Sequence, residues 1–199
     1  MPYLGEAMTM YEEGIDKQAI DKAAVTFGMP MGPIELADKV GLDVCMHVAE
    51  NLCSHFGGTV STKLIDMVKD GQLGVKSGKG FYDYDKKGKP VKQASNAVSR
   101  HDDITDRLIL RMLNEAVECL QEGVVQSEDL VDAGMIFGTG FAFFRGGPLH
   151  YAKHRGLDDV VSRLESFSRQ YGERFSPSEG WGLLREDAVE EEKSRSSVE

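Results

Sequence analysis

The sequence predicts an all-α fold in which one helical unit is used twice, and three observations lead there. Apolar residues recur at spacings of three and four along most of the 199 residues, the period of a helix with one buried face. No segment reads as a confident sheet strand. Finally, the bend Phe27-Gly28, Gly32-Pro33, Gly41-Leu42-Asp43 returns downstream as Phe137-Gly138, Gly147-Pro148, Gly156-Leu157-Asp158. The offset between copies is 109 residues at Glu13-Gly14 and Glu122-Gly123, 110 at the Phe-Gly pairs and 115 at the Gly-Pro pairs. A slowly growing offset indicates a duplication with loop insertions.

The elements follow in order. Leu4, Ala7, Met8, Tyr11 and Ile15 mark a first helix, ended by Gly14. Asp16 caps a second, carrying Ile20, Ala23, Ala24 and Phe27 and closed by Gly28. Two prolines in four residues, Pro30 and Pro33, force a rigid bend, and Pro33 suits the first turn of the next helix. That short helix closes at Gly41. Asp43 is expected to cap a helix with the stripe Val44, Val48, Leu52 and Phe56, stopped by Gly57-Gly58. Ser61 or Thr62 starts another, with Leu64, Ile65 and Val68 inward. A glycine-rich loop, residues 74–84, then runs into Phe81, Tyr82 and Tyr84.

The second half repeats the plan. Asp102 or Asp103 caps a long helix with Leu108, Met112, Leu113, Ala116 and Leu120, ending at Gly123. Ser127 caps its partner, which runs through Leu130 and Val131 to Phe137. Pro148 opens a short helix closed by Gly156, and Asp158 caps the stripe Val160, Val161, Leu164, Phe167 and Tyr171. The expected domains are a first repeat over residues 1–84, a polar linker over 85–99, a second repeat over 100–184 and a charged tail over 185–199. The two repeats are expected to pack on each other.

Composition narrows the function classes. Forty-one per cent hydrophobic residues suffice for a core. A formal charge of −10 argues against a nucleic-acid or anionic-membrane surface. No apolar run reaches the roughly 20 residues that cross a bilayer, and no secretory signal pattern opens the chain. Three widely spaced cysteines suit reduced thiols in an intracellular protein.

The chemical motifs mostly fail on spacing. Gly74 to Gly78 leaves three intervening residues where a P-loop needs four, and Asp83 stands where a dinucleotide fingerprint needs its third glycine. The loop reads instead as a tight turn that lets Phe81 and Tyr82 dock. Cys45 and His47, and Cys53 and His55, sit two apart, about 200° around a helix, so neither pair closes on one metal ion. His150 and His154 share a face but lack the glutamate of a zincin motif. No nucleophile elbow and no paired-carboxylate motif is present.

The motifs are nonetheless specific. Phe27-Gly-Met-Pro-Met-Gly-Pro-Ile-Glu-Leu-Ala-Asp-Lys-Val-Gly-Leu-Asp43 closely resembles the signature of the C-terminal domain of 3-hydroxyacyl-CoA dehydrogenases, and Gly74-Val-Lys-Ser-Gly-Lys-Gly-Phe-Tyr-Asp-Tyr84 resembles that domain's closing motif. The segments Asn114-Glu-Ala-Val, Gly138-Thr-Gly-Phe and Phe144-Arg-Gly-Gly-Pro-Leu149 resemble the additional repeat of multifunctional fatty-acid oxidation α-subunits. The resemblance spans about residues 3 to 184. It implies the helical fold shared with the C-terminal domain of 6-phosphogluconate dehydrogenase.

It further implies part of a β-oxidation enzyme that oxidises L-3-hydroxyacyl-CoA with NAD, using a His general base oriented by a Glu. The implied partners are an upstream Rossmann NAD domain, an enoyl-CoA hydratase module, a thiolase subunit and an acyl-CoA substrate. The implied setting is the bacterial cytoplasm or the mitochondrial matrix. No residue here matches the family's NAD fingerprint or its His–Glu pair, so no catalytic, cofactor-binding or metal residue is assigned, and this stretch alone is expected to be inactive. The implied substrate-cleft residues are Met29, Pro30, Met31, Gly32, Pro33 and Leu36; a rigid corner packing one helix on another explains them equally well. A 6-phosphogluconate-type helical domain and a free-standing dimerisation module also fit the plan, although Gly78-Lys-Gly-Phe-Tyr82 argues against the former.

Overall fold

The computed structural model describes residues 2–57, 59–92 and 101–185. The first half holds α1 (Pro2–Glu12), α2 (Lys17–Phe27), α3 (Pro33–Val40), α4 (Leu42–Phe56) and α5 (Thr62–Lys69). A 3-10 turn at Val75–Ser77 and a short antiparallel hairpin, β1 (Asp83–Tyr84) with β2 (Pro90–Val91), follow. The second half holds α6 (His101–Gln121), α7 (Glu128–Thr139), a 3-10 turn at Phe143–Arg145, α8 (Pro148–Arg155) and α9 (Leu157–Tyr171). A 3-10 turn at Glu173–Phe175 and a helical turn over residues 180–185 complete it. The chain divides into two compact units between Thr105 and Asp106, just inside α6. The all-α class is confirmed: among the described residues the hairpin is the whole of the sheet.

The local signals act as the sequence suggests where their partners are near in the chain. Asp16 accepts hydrogen bonds from the Gln18 and Ala19 amides, both at 3.0 Å, and so starts α2. Ser61 starts α5 through the Leu64 amide, and Ser127 starts α7 through the Leu130 amide. Gly28, with φ 120°, ends α2 by donating its amide to the Ala24 and Val25 carbonyls. Pro33 occupies the first turn of α3, where a missing N–H is harmless.

Several expectations are corrected. Asp43 and Asp158 do not cap their helices; each lies in a first turn. Gly41, φ 103°, is the C-cap of α3 and the N-cap of α4 at once, and Gly156, φ 103°, does the same for α8 and α9. Each helix therefore abuts the next across one residue. The freed carboxylates pair with cations instead: Asp43 with Lys76 at 2.5 Å and Asp158 with Arg185 at 2.6 Å. Because α4 starts at Leu42, its buried positions are Leu42 and Cys45, while Val44 is exposed. In α1 the buried face is Tyr3, Glu6, Ala7 and Met10, with Leu4, Met8 and Tyr11 half-buried. A stripe traced through apolar residues alone skips the charged Glu6 and lands about one position off.

The Lys-rich segment read as linker begins as folded structure. The Asp85 carboxylate accepts from the Lys87 and Lys89 amides, at 2.8 and 2.9 Å, and turns the chain back into β2. Residues 93–100 lie outside the described residues, as does the expected tail from 186 to 199. Helix α6 starts at His101, so Asp102 and Asp103 belong to its first turn.

The duplication is real in outline, but one of its landmarks is misaligned. Phe27 is 5% exposed, whereas Phe137 is 89% exposed, and Gly138 lies inside α7. The glycine that ends α7 is Gly140, 112 positions after Gly28. Phe141, also buried, then takes the place of Met29. Two Phe-Gly pairs mimic each other in sequence while facing opposite environments.

Candidate functional site

The bend between α2 and α3 is held by two buried aspartates. Asp21 on α2 accepts hydrogen bonds from the Ile34 amide at 2.8 Å, the Glu35 amide at 3.2 Å and the Tyr82 hydroxyl at 2.8 Å. Those two amides are first-turn donors of α3 with no partner inside their own helix. The residue at the N-cap, Gly32, has no side chain to offer, so a neighbouring helix supplies the cap. A Cβ on Gly32 would lie 2.2 Å from the Asp21 carboxyl carbon, which makes glycine a condition of this arrangement.

Asp38 on α3 fastens the glycine-rich loop in the same way. It accepts from the Phe81 and Tyr82 amides and from the Tyr84 hydroxyl, each at 2.9 Å. Phe81 and Tyr82 are buried, as the sequence suggests. Phe81 meets the Tyr11 ring edge-on at 5.2 Å, and Lys17 donates to the Phe81 carbonyl. Lys17 also stands 4.7 Å from the centre of the Tyr82 ring, and Lys92 stands 5.7 Å from it while pairing with Glu35. The two signature motifs are thus one network: Asp21 and Asp38 each reach Tyr82, one at its hydroxyl and one at its amide.

Burial pushes the Asp21 carboxyl up to about 6, against the Tyr82 hydroxyl, the Ile34 amide, Lys92 and the Glu35 amide, which all favour the anion. Burial raises Asp38 as well. The Tyr82 hydroxyl is pushed above the usual phenol range by burial and then by the Asp21 charge.

The second unit copies only half of this. Asp132 on α7 accepts from the Leu149 amide at 2.7 Å and the His150 amide at 3.0 Å, capping α8 across Gly147, where a Cβ would lie 2.3 Å from Asp132. A different device then closes the unit. Asn114 on α6 donates to the Ser176 carbonyl and accepts from the Ser178 amide and the Trp181 indole, all at 2.9 Å.

The six residues read as cleft-facing divide by exposure. Pro30 is exposed, Met31 and Leu36 are half-buried, and Met29, Gly32 and Pro33 are buried behind them. Sequence reading expected Tyr82 to dock but missed its partners at the bend, Asp21 and Asp38, and the Tyr84 hydroxyl. A polar residue standing amid the apolar run of α2, as Asp21 does between Ile20 and Ala23, was the available signal.

The 3-hydroxyacyl-CoA dehydrogenase C-terminal domain model matches residues 1–84 and 104–197. The chain belongs to this family. The fatty acid oxidation complex subunit alpha of Idiomarina loihiensis is 41% identical over 192 residues, 89% of this chain and 27% of that protein. The protein of the same name from Vibrio vulnificus is 39% identical over 191 residues, again covering 27% of its length. The chain therefore spans about a quarter of the length of these relatives. Among solved structures, the dehydrogenase part of multifunctional enzyme 1 from C. elegans aligns with a TM-score of 0.69 and 27% identity, over 92% of this chain and 45% of that one. The 3-hydroxybutyryl-CoA dehydrogenase of Escherichia coli K12 shares the fold, with a TM-score of 0.72 at 23% identity over 97% of this chain and 59% of that one.

Asp38 packs directly against the glycine loop. A Cβ on Gly80 would lie 2.0 Å from Asp38 Oδ1 and one on Gly74 would lie 2.2 Å from the Asp38 carbonyl oxygen. A side chain at either position would thus run into the Asp38 carboxylate or its backbone carbonyl. Among the described residues no helix is long and apolar enough to cross a membrane.

Proposed function

We propose that this chain is the C-terminal helical region of an NAD-dependent L-3-hydroxyacyl-CoA dehydrogenase of fatty-acid oxidation, and that Pro30, Met31 and Leu36 line the acyl side of its substrate cleft. The observation that carries the reading is the bend itself. Family-specific residues form a corner whose apolar tip stays accessible while two buried aspartates fix its base. Such a corner presents a preorganised apolar wall, and methionine adapts to chains of different shape. Met29, Gly32 and Pro33 act from behind by setting its angle.

Binding of NAD and proton abstraction by a His–Glu pair are assigned to a Rossmann domain preceding this region, because the loop that resembles a phosphate cradle is filled by Asp38. An enoyl-CoA hydratase module and a thiolase subunit are further partners in this reading, which is supported by relatives named as subunits of a fatty acid oxidation complex. The bacterial cytoplasm is the matching compartment. Calorimetric titration of the 199-residue chain with NADH tests the division of labour. No saturable heat is expected; stoichiometric binding would overturn it.

A further inference from the structure

Tyr82 joins the two ends of α3. Its amide donates to Asp38 Oδ2 on the last turn of that helix, and its hydroxyl donates to Asp21 Oδ2, the carboxylate that caps the first turn. The residue between these two bonds is 2% exposed, so its ring works as a buried strut. The hydroxyl does what the amides alone cannot. Asp21 accepts from the Ile34 amide on Oδ1 and, at the longer 3.2 Å, from the Glu35 amide on Oδ2. The terminal torsion of an aspartate is soft, so two amides of one helix leave carboxylate and helix free to rock together. A third donor, carried on a ring that is itself anchored to Asp38, fixes the carboxylate plane and with it the angle at which α3 leaves the bend. Met31 stands just before that helix and Leu36 lies on it between the two fastening points, both half-buried.

The second unit shows that the fold does not require the strut. Asp132 caps α8 with the Leu149 and His150 amides, and no tyrosine hydroxyl is among its partners in the described residues. At the 115-residue offset of the Gly-Pro pairs, Lys153 stands where Asp38 does, and it pairs with Glu128 of α7 at 2.6 Å, both side chains partly exposed. The same joint between two helices thus closes without a phenol. The unit that has one is the unit with the methionine corner.

We propose that Tyr82, acting through Asp21, is a positioning residue for acyl-chain recognition: its hydroxyl sets the angle of the apolar corner at Met31 and Leu36, so that substrates with chains long enough to lie along the corner depend on it and four-carbon substrates do not. The proposal rests on the acyl-wall reading given above. A displaced wall loses contact with substrate and transition state alike, which raises KM and spares kcat.

The test uses a joined polypeptide, the segment preceding the matched region of the Idiomarina loihiensis relative fused to this chain, reducing 3-ketodecanoyl-CoA or acetoacetyl-CoA with NADH. Tyr82→Phe keeps the ring and the amide and removes one oxygen. It should raise KM for the ten-carbon substrate about fivefold or more, roughly the worth of one or two buried methylenes. Its kcat on that substrate, and both constants for the four-carbon one, should stay within about twofold. Asp21→Asn should give the same split, and the double variant no further loss, because both changes break one contact. Tyr84→Phe removes the same kind of bond from Asp38 and should give no split. A uniform change at both chain lengths, an equal effect of Tyr84→Phe, or a fall in urea midpoint as large as that of Gly32→Ala would make Tyr82 a residue of the fold only and overturn the proposal. An unchanged ten-carbon KM would do the same. Met31→Ala separates that failure from failure of the underlying reading. If it leaves the ten-carbon KM unchanged, the acyl wall itself falls; if it raises that KM while Tyr82→Phe does not, only the positioning role falls.

Discussion

Gly32 has ordinary backbone angles, φ −68° and ψ 149°, so space and not torsion demands glycine there. Alanine would drive a methyl group to 2.2 Å from the Asp21 carboxyl and displace it from three donors. Losing one buried acceptor contact of this kind costs on the order of 1–3 kcal/mol, so Gly32→Ala should lower stability by at least about 2 kcal/mol, read as a fall in urea midpoint. An unchanged midpoint would show that the Asp21 clamp contributes nothing. Asp21 also makes a prediction about pH. Its folded value of about 6 lies above the roughly 3.9 of an unfolded aspartate, so the folded state holds the proton more tightly. The associated stability is fully present below about pH 4 and is lost as pH rises through about 6, amounting to roughly 2–3 kcal/mol. Asp21→Asn has no such titration. The advantage of the wild type over Asp21→Asn, from urea midpoints at pH 4 and pH 7, should therefore shrink with rising pH. An advantage that grows instead would mean that the three donors outweigh burial. Neither aspartate clamp was legible in the sequence, because Asp21 and Asp132 cap helices that begin 12 and 16 residues further on. Short-range motifs such as Asp16 with the Ala19 amide announce themselves; clamps that cross between elements do not.

At the level of elements, most helix boundaries could be read because glycine and proline mark them chemically. Pro33 and Pro148 open helices, and positive-φ glycines close them. The errors arose where one residue serves two elements. Gly-Leu-Asp looks like a terminator followed by a cap, yet Gly41 and Gly156 do both jobs and leave the aspartate inside the helix. The distinction can be measured with Asp16→Ala and Asp43→Ala. The first removes a side chain that accepts from two first-turn amides and should cost about 1 kcal/mol. The second breaks only an exposed pair with Lys76 and should leave the urea midpoint nearly unchanged, with any small effect abolished by salt. Equal losses would restore Asp43 as a cap. The hairpin of β1 and β2 was invisible because each strand has two residues, too few to show alternation. Its turn, set by Asp85 accepting from two amides, was hidden among lysines that read as a linker.

For the whole molecule, the duplication was legible because punctuation survives divergence, while the fate of each face did not follow from it. Phe27 and Phe137 look equivalent as letters, yet one is core and the other is open to solvent. The same asymmetry separates the two bends. The first has an aromatic network that locks it to the glycine loop, and the second has the Asp132 cap, a Lys153–Glu128 ion pair between α7 and α8, and a different closure through Asn114 and Trp181. The two units share a plan, and the residues proposed to face the acyl chain occur on the one with the double clamp. The proposed role depends on a cofactor site outside these residues, and that dependence can be measured directly. Steady-state reduction of acetoacetyl-CoA by NADH should be followed with the 199-residue chain alone, with the segment preceding the matched region of the Idiomarina loihiensis relative alone, and with the two joined. The account predicts no turnover from either part alone and full turnover from the joined polypeptide. Turnover by the chain alone that scales with its concentration would contradict it, and so would a preceding segment whose activity is the same with or without the chain.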